Sequence, residues 1–202
     1  MAKLYFRYGT MGSAKTMNLL AVAHNYRSQG KEVLLLKPAL DNRFGKETIR
    51  SRAGLEKSAD MLVDEKTILT PEMFEKIYCV LVDEAQFISP KVIEQLRTIT
   101  LEQHVPVICY GLRTNFRGHL FEGSKRLMEL ADSVEEIKTT CAFCNKKAIM
   151  NLKHVNGVAT VDGPVIDLGK EEKYNPACYR CYQQQLLAAT KEQERSTCSN
   201  SC

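Results

Sequence analysis

Residues 9–16 read Gly-Thr-Met-Gly-Ser-Ala-Lys-Thr, directly after the apolar run Leu4-Tyr5-Phe6 and before an amphipathic stretch. That order is close to a phosphate-binding loop, a turn at a strand end whose backbone N–H groups wrap a nucleotide's phosphates. Lys15 would face the outer phosphates as a point charge, and the Thr16 hydroxyl would hold a magnesium ion. The helix that follows adds the positive end of its dipole. The glycine usual before the lysine is Ala14 here, so a methyl group stands where bare backbone is expected.

A second signature is Val80-Leu81-Val82-Asp83-Glu84, an apolar strand ending in two carboxylates. In phosphate-loop proteins such a strand lies beside the loop, and its terminal acid reaches the metal. Asp83 fits that role. Glu84, one residue on, is aimed differently and is free to face a substrate. A glutamate with a pKa of about 4.3 is ionised at neutral pH and able to accept a proton. Arg43, in Asp41-Asn42-Arg43-Phe44, has the charge to neutralise a transferring phosphoryl group.

A third signature pairs Cys141-Ala142-Phe143-Cys144 with Cys178-Tyr179-Arg180-Cys181. Two Cys-x-x-Cys knuckles supply four thiolates, the donor set of a closed tetrahedral zinc site that is structural rather than catalytic. The gap between the knuckles exceeds that of a minimal zinc ribbon. The metal is therefore expected to fasten the base of a loop, residues 145–177. Cys79 and Cys109 fall in apolar runs and read as core, and Cys198 and Cys202 have no matching pair. The four histidines share no ligand-like spacing.

The elements that must position these groups follow from short apolar runs at Lys3–Phe6, Glu32–Leu36, Tyr78–Val82, Pro106–Tyr110 and Val134–Lys138. Continuous rather than alternating runs indicate parallel strands covered on both faces. Helical patterns lie between most of them: Thr16 to Ser28, a segment opening at Ser89-Pro90, and Glu122 to Ala131. Strand–helix alternation predicts a doubly wound, mostly parallel α/β sheet of the P-loop, RecA-like kind, with a small C-terminal zinc-binding β subdomain. The expected organisation is an ATP-binding domain over 1–139, a zinc-bearing lasso over 140–187 and a fraying polar tail over 188–202. The polar stretch Leu40–Asp60 is expected to cover the site as a mobile loop.

The chain of 202 residues carries a net charge of +4, with its basic residues scattered and no membrane-length apolar run. Near-neutral charge and missing aromatic–basic interleaving argue against a nucleic-acid groove. The paired cysteines and absent leader suggest a cytoplasmic protein.

Together, Gly9–Thr16, Asp41–Phe44, Asp83-Glu84-Ala85-Gln86-Phe87, the block Tyr110–Gly118 and the two knuckles resemble thymidine kinases of the type II, cellular-like class, bacterial members especially. The likeness runs from about Leu4 to Tyr182 in unbroken order. It implies transfer of the ATP γ-phosphate to the 5′-hydroxyl of thymidine, with deoxyuridine left open as a further acceptor, a homotetramer, and inhibition by thymidine triphosphate. It implies that Gly9, Thr10, Met11, Gly12, Ser13, Ala14, Lys15 and Thr16 bind ATP, and that Thr16 and Asp83 hold magnesium. Glu84 is then the general base, with Asp41 and Arg43 beside the transferring group. Met11, Phe87, Leu112, Phe116, Phe121 and Tyr174 would surround the thymine, and Cys141, Cys144, Cys178 and Cys181 would hold structural zinc. In the family Tyr174 matches a tyrosine on a loop that closes over the nucleoside, and relatives carry two glycines ahead of it, where this chain has Leu168-Gly169-Lys170. The alternatives are a zinc-containing nucleic-acid-binding P-loop ATPase and a non-catalytic nucleotide sensor.

Overall fold

In the computed structural model, residues 1–166 and 174–199 are described, with side chains as far as residue 191. Six parallel strands form the main sheet: β1 (Leu4–Tyr8), β2 (Val33–Pro38), β5 (Met61–Val63), β6 (Cys79–Val82), β7 (Val107–Gly111) and β8 (Ser133–Glu136). Their order across the sheet is β5-β2-β6-β7-β1-β8. All five pairings are parallel. Helix α1 (Lys15–Ser28) covers one face, where Leu19, Leu20 and Ala23 meet Leu35, Leu81 and Tyr110. Helices α2 (Pro90–Glu102) and α3 (Glu122–Leu130) cover the other, where Val92, Ile93, Leu96 and Leu127 meet Phe6, Val80 and Val82. Burying each such side chain contributes about 1.5–3 kcal/mol.

Alternation within one strand explains the two-sided core. In β6, Cys79 and Leu81 face α1, whereas Val80 and Val82 face α2. The α2 start is as expected: Pro90 occupies the first turn and the Ser89 hydroxyl accepts from the Val92 N–H at 3.4 Å.

The expected five strands are present, and β5 is a sixth that the sequence reading missed. The stretch expected as a mobile cover holds instead an antiparallel hairpin, β3 (Thr48–Arg50) with β4 (Glu56–Ser58). Ile49, 1% exposed, anchors that hairpin in the α1 core. A second, antiparallel sheet comprises β9 (Met150–Val155), β10 (Val158–Thr160) and β11 (Tyr174–Ala177), with β9 central. The span 145–177, expected as one long loop, thus contains three strands among its described residues. The polar end expected to fray from residue 188 continues helix α4 (Tyr179–Ser199). Leu168-Gly169-Lys170 and Cys202 lie outside the described residues. Among described residues, no helix is long and apolar enough to cross a membrane.

Helix α3 begins unusually close to the one-turn 3-10 helix at Ala85–Phe87. A β-carbon at Gly123 would come within 2.5–2.9 Å of the carbonyl oxygens of Ile88, Ala85 and Gln86. Backbone atoms yield little, so Gly123→Ala should cost about 1–3 kcal/mol of stability, as overpacking does. A lowered urea midpoint at unchanged m-value is the expected reading, and an unshifted midpoint would contradict the packing.

Candidate active site

Ligands of open parallel sheets bind in the crevice beyond the carboxyl ends of the strands. The principal cleft lies there, lined by Met11, Ala14–Met17, Asp41, Arg43, the β3–β4 hairpin, Asp83, Glu84, Phe87, Leu112, Phe116, Phe121 and Tyr174. Every catalytic, metal and substrate residue singled out from sequence for the nucleotide and nucleoside faces this one space. Gly9 and Thr10 back the loop from behind, and Ser13 is buried beneath it. A β-carbon on Gly9 would overlap the Ser13 hydroxyl and the Ile137 carbonyl, which explains the glycine.

The loop is polarised for an anion. Lys15 is buried, and its Nζ donates to the Thr10 carbonyl at 2.7 Å. Burial lowers its pKa to about 8, against the opposing pull of Glu84 and Asp83. The Thr10 hydroxyl is buried without a hydrogen-bond partner, a donor waiting for an acceptor. Ala14 takes a left-handed conformation, φ 62° and ψ 26°, at the N-cap of α1. The loop keeps the glycine geometry and Ala14 bears the strain.

At the end of β6, the Thr16 hydroxyl donates to both oxygens of Asp83, at 3.2 and 3.3 Å. A hydroxyl and a carboxylate at this spacing suit a hard divalent cation such as magnesium, with water completing its shell. Burial and the adjacent Glu84 push the Asp83 carboxyl up to about 7. Burial acts on Glu84 in the same direction, but Arg43 and Lys15 overcome it and hold Glu84 below its ordinary value. Two neighbouring carboxyls are thereby driven apart, the pattern of groups with different tasks.

Arg43 sits between acids. Its Nε donates to Asp41 Oδ1 at 2.7 Å and its Nη2 to Glu84 Oε1 at 2.6 Å. Desolvation disfavours its charge, yet Glu84 and Asp41 hold it firmly protonated. Two supporting residues were given no role from the sequence. Lys37, 1% exposed, pairs with Asp41 at 3.4 Å and donates to the Thr48 carbonyl at 2.9 Å. Gln86 donates to Glu84 Oε2 at 2.5 Å and accepts from the Leu112 N–H at 3.0 Å. A polar residue inside a run as apolar as Val33–Pro38 was the available signal for Lys37. Gln86 carried none beyond its neighbours.

Beside the acids lies an aromatic wall. Phe87 and Phe121 meet edge to face at 5.6 Å, and Phe116 and Tyr174 lie 6.2 Å apart. Such a slot admits a flat ring.

The four knuckle sulfurs converge below the second sheet, all within 4.8 Å of one another. Tetrahedral zinc with Zn–S of about 2.3 Å puts sulfurs about 3.8 Å apart. Cys144 and Cys178 Sγ are separated by 3.7 Å. The Phe143 and Cys181 N–H groups donate to Cys141 and Cys178 sulfurs at 3.4 Å, as thiolates require. The set fits a structural metal such as zinc.

A phosphate loop facing a strand-end acid pair, with a flat apolar pocket alongside, defines a P-loop nucleoside kinase. The thymidine kinase family model matches residues 2–182, and the chain belongs to that family. A thymidine kinase of Lactiplantibacillus plantarum is 44% identical over 90% of this chain and 96% of its own. Thymidine kinases of Streptococcus pyogenes and Lactococcus lactis are 45% and 44% identical, each over 90% of this chain and 97% of their own.

Two substitutions probe this geometry. Left-handed alanine costs about 1–2 kcal/mol, partly offset by the chain entropy of glycine, so Ala14→Gly should add roughly 1 kcal/mol and raise Tm by a few degrees. An unchanged Tm would refute strain at this position. Cys144→Ser should lose the bound zinc, falling from one equivalent to none by elemental analysis, with a lower Tm. Full retention of zinc would exclude a four-thiolate site.

Proposed function

We propose that the protein transfers the γ-phosphate of ATP to the 5′-hydroxyl of thymidine, yielding thymidine monophosphate for deoxynucleotide salvage. The observation that carries this reading is Glu84, ionised and clamped between Arg43 and Gln86, at the junction of the phosphate loop and the aromatic slot. Lys15 and the loop N–H groups bind the phosphates of ATP. Magnesium held at Thr16 and Asp83 would neutralise phosphate oxygens and help fix the leaving diphosphate.

The base of thymidine lies among Met11, Phe87, Leu112, Phe116, Phe121 and Tyr174, which directs the sugar toward Glu84. The 5′-hydroxyl oxygen attacks the γ-phosphorus in line, the bond to ADP breaks, and the hydroxyl proton passes to the Glu84 carboxylate. Phosphoryl transfer passes through a loose transition state, so little basicity is demanded and orientation matters more. Arg43 and Lys15 hold the Glu84 carboxylate below its ordinary pKa, which favours its ionised, proton-accepting form. Arg43, fixed by Asp41, adds positive charge where negative charge spreads over the transferring group. The reading extends to a cytoplasmic homotetramer inhibited by thymidine triphosphate, with no nucleic-acid partner.

Glu84→Gln keeps shape and the capacity to contact Arg43 while removing the proton acceptor. It should lower kcat by about 100-fold or more, with thymidine and ATP still bound in calorimetry. A nucleoside panel run with ATP should show turnover of thymidine and none of purine nucleosides. Full activity in Glu84→Gln would remove the base, and equal purine turnover would remove the narrow slot.

A further inference from the structure

Asn151 is on β9, in the second sheet, yet its side chain reaches two parts of the main cleft. Its Oδ1 accepts from the Met11 N–H at 2.8 Å, and its Nδ2 donates to the Thr114 carbonyl at 3.1 Å. It is 3% exposed. Both halves of the amide are in use, so its two partners define its orientation. Met11 belongs to the phosphate loop, and Thr114 leads into the turn that carries Phe116. One buried side chain therefore joins the phosphate-binding segment to the nucleoside wall.

What aims Asn151 is the strand pair beside the cysteine cluster. In the antiparallel register Met150 faces Ala177 and Asn151 faces Pro176, and Cys178 follows immediately. The Ile149 N–H adds a bond to the Ala177 carbonyl at 2.9 Å. Tyr182, one turn into α4, donates its hydroxyl to the Phe116 carbonyl at 2.7 Å. The four sulfurs thus sit at the junction of the strand pair that carries Asn151 and the helix that carries Tyr182.

We propose that Asn151 is a positioning residue for phosphoryl transfer, a staple from the cysteine-bound module that sets the spacing between phosphate loop and nucleoside wall. The proposal rests on the kinase reading above. Asn151 acts through the two backbone groups it holds, and in-line transfer is sensitive to that spacing: a displacement of about 1 Å can cost about 100-fold in rate.

The test compares Asn151→Ala with Leu152→Val. Leu152 is the next residue, and its side chain is buried in the module's own core. Tm, steady-state kinetics, and ATP and thymidine dissociation constants by calorimetry are measured for both. Both variants should lose some Tm. Asn151→Ala should lower kcat by about 10–100-fold and weaken ATP binding several-fold, while Leu152→Val keeps kcat and ATP affinity within about twofold of wild type, as a change far from the reacting groups should. Asn151→Asp retains the size and the acceptor but not the donor to Thr114, and it should also lose kcat. It serves the same comparison if the alanine variant does not fold. Equal behaviour of the Asn151 and Leu152 variants, or an unchanged kcat at position 151, would overturn the staple. Wild-type protein that bound no ATP would instead overturn the kinase reading beneath it.

Discussion

The buried ion cluster joining Lys37, Asp41, Arg43 and Glu84 constrains everything around the cleft. Two cations and two carboxylates are taken out of water there, and each is tolerable only because its partners are within reach. Lys37 and Asp41 are its buried members, and removing either would leave an uncompensated buried charge, a loss of about 3–5 kcal/mol. The parallel sheet makes this arrangement possible. β2 and β6 are neighbours in register, Leu36 opposite Val82, so the chain leaving each strand delivers its charged residues to the same edge. Arg43 and Glu84 are 41 positions apart in sequence and share a 2.6 Å contact.

Two of the four non-glycine residues with positive φ among the described residues line the same cleft. They are Ala14 and Glu84, with φ of 62° and 47°. Such conformations persist only where surrounding contacts over-determine them. For Glu84 those contacts are Arg43 on one oxygen and Gln86 on the other, with Gln86 itself tied to the Leu112 N–H. The two consecutive carboxylates thereby have different partners, Thr16 for Asp83 and Arg43 with Gln86 for Glu84. Their divergent acidities follow from their partners: Asp83 is buried beside the Glu84 charge, whereas Glu84 has Arg43 and Lys15 against it.

The second sheet works on the cleft mainly through main-chain groups. Tyr182 holds the Phe116 carbonyl, Asn151 holds Met11 and Thr114, and Arg117 reaches back to the carbonyls of Val161 and Gly163. Lys153 lies over the Phe116 ring at 4.6 Å and donates to the Asp162 carbonyl. A pocket wall built from a loop is thus braced by a module that the cysteine cluster holds in shape.

Much of this was legible in the amino-acid order, because its signals are local. The phosphate loop is contiguous, the acid pair ends one apolar run, and the cysteine spacing names its own geometry. Periodicity placed five of the six main strands and the three helices that flank them. Position-by-position likeness marked the aromatic residues, and the fold does bring Phe87, Phe116, Phe121 and Tyr174 to one slot. What could not be read has no local signature. The strand β5 is three residues long, and the β3–β4 hairpin lies in a polar segment whose single deep anchor is Ile49. The helical end of α4 is too polar for its pattern to announce a helix. Lys37, Gln86 and Asn151 look like any polar residue until their partners arrive from elsewhere in the chain. Residue types and short spacings determined the chemistry available to this protein; which buried amide meets which backbone group, and which carboxylate meets which cation, was decided by strand order and register, since hydrogen bonds and ion pairs depend on distances that only the folded chain creates.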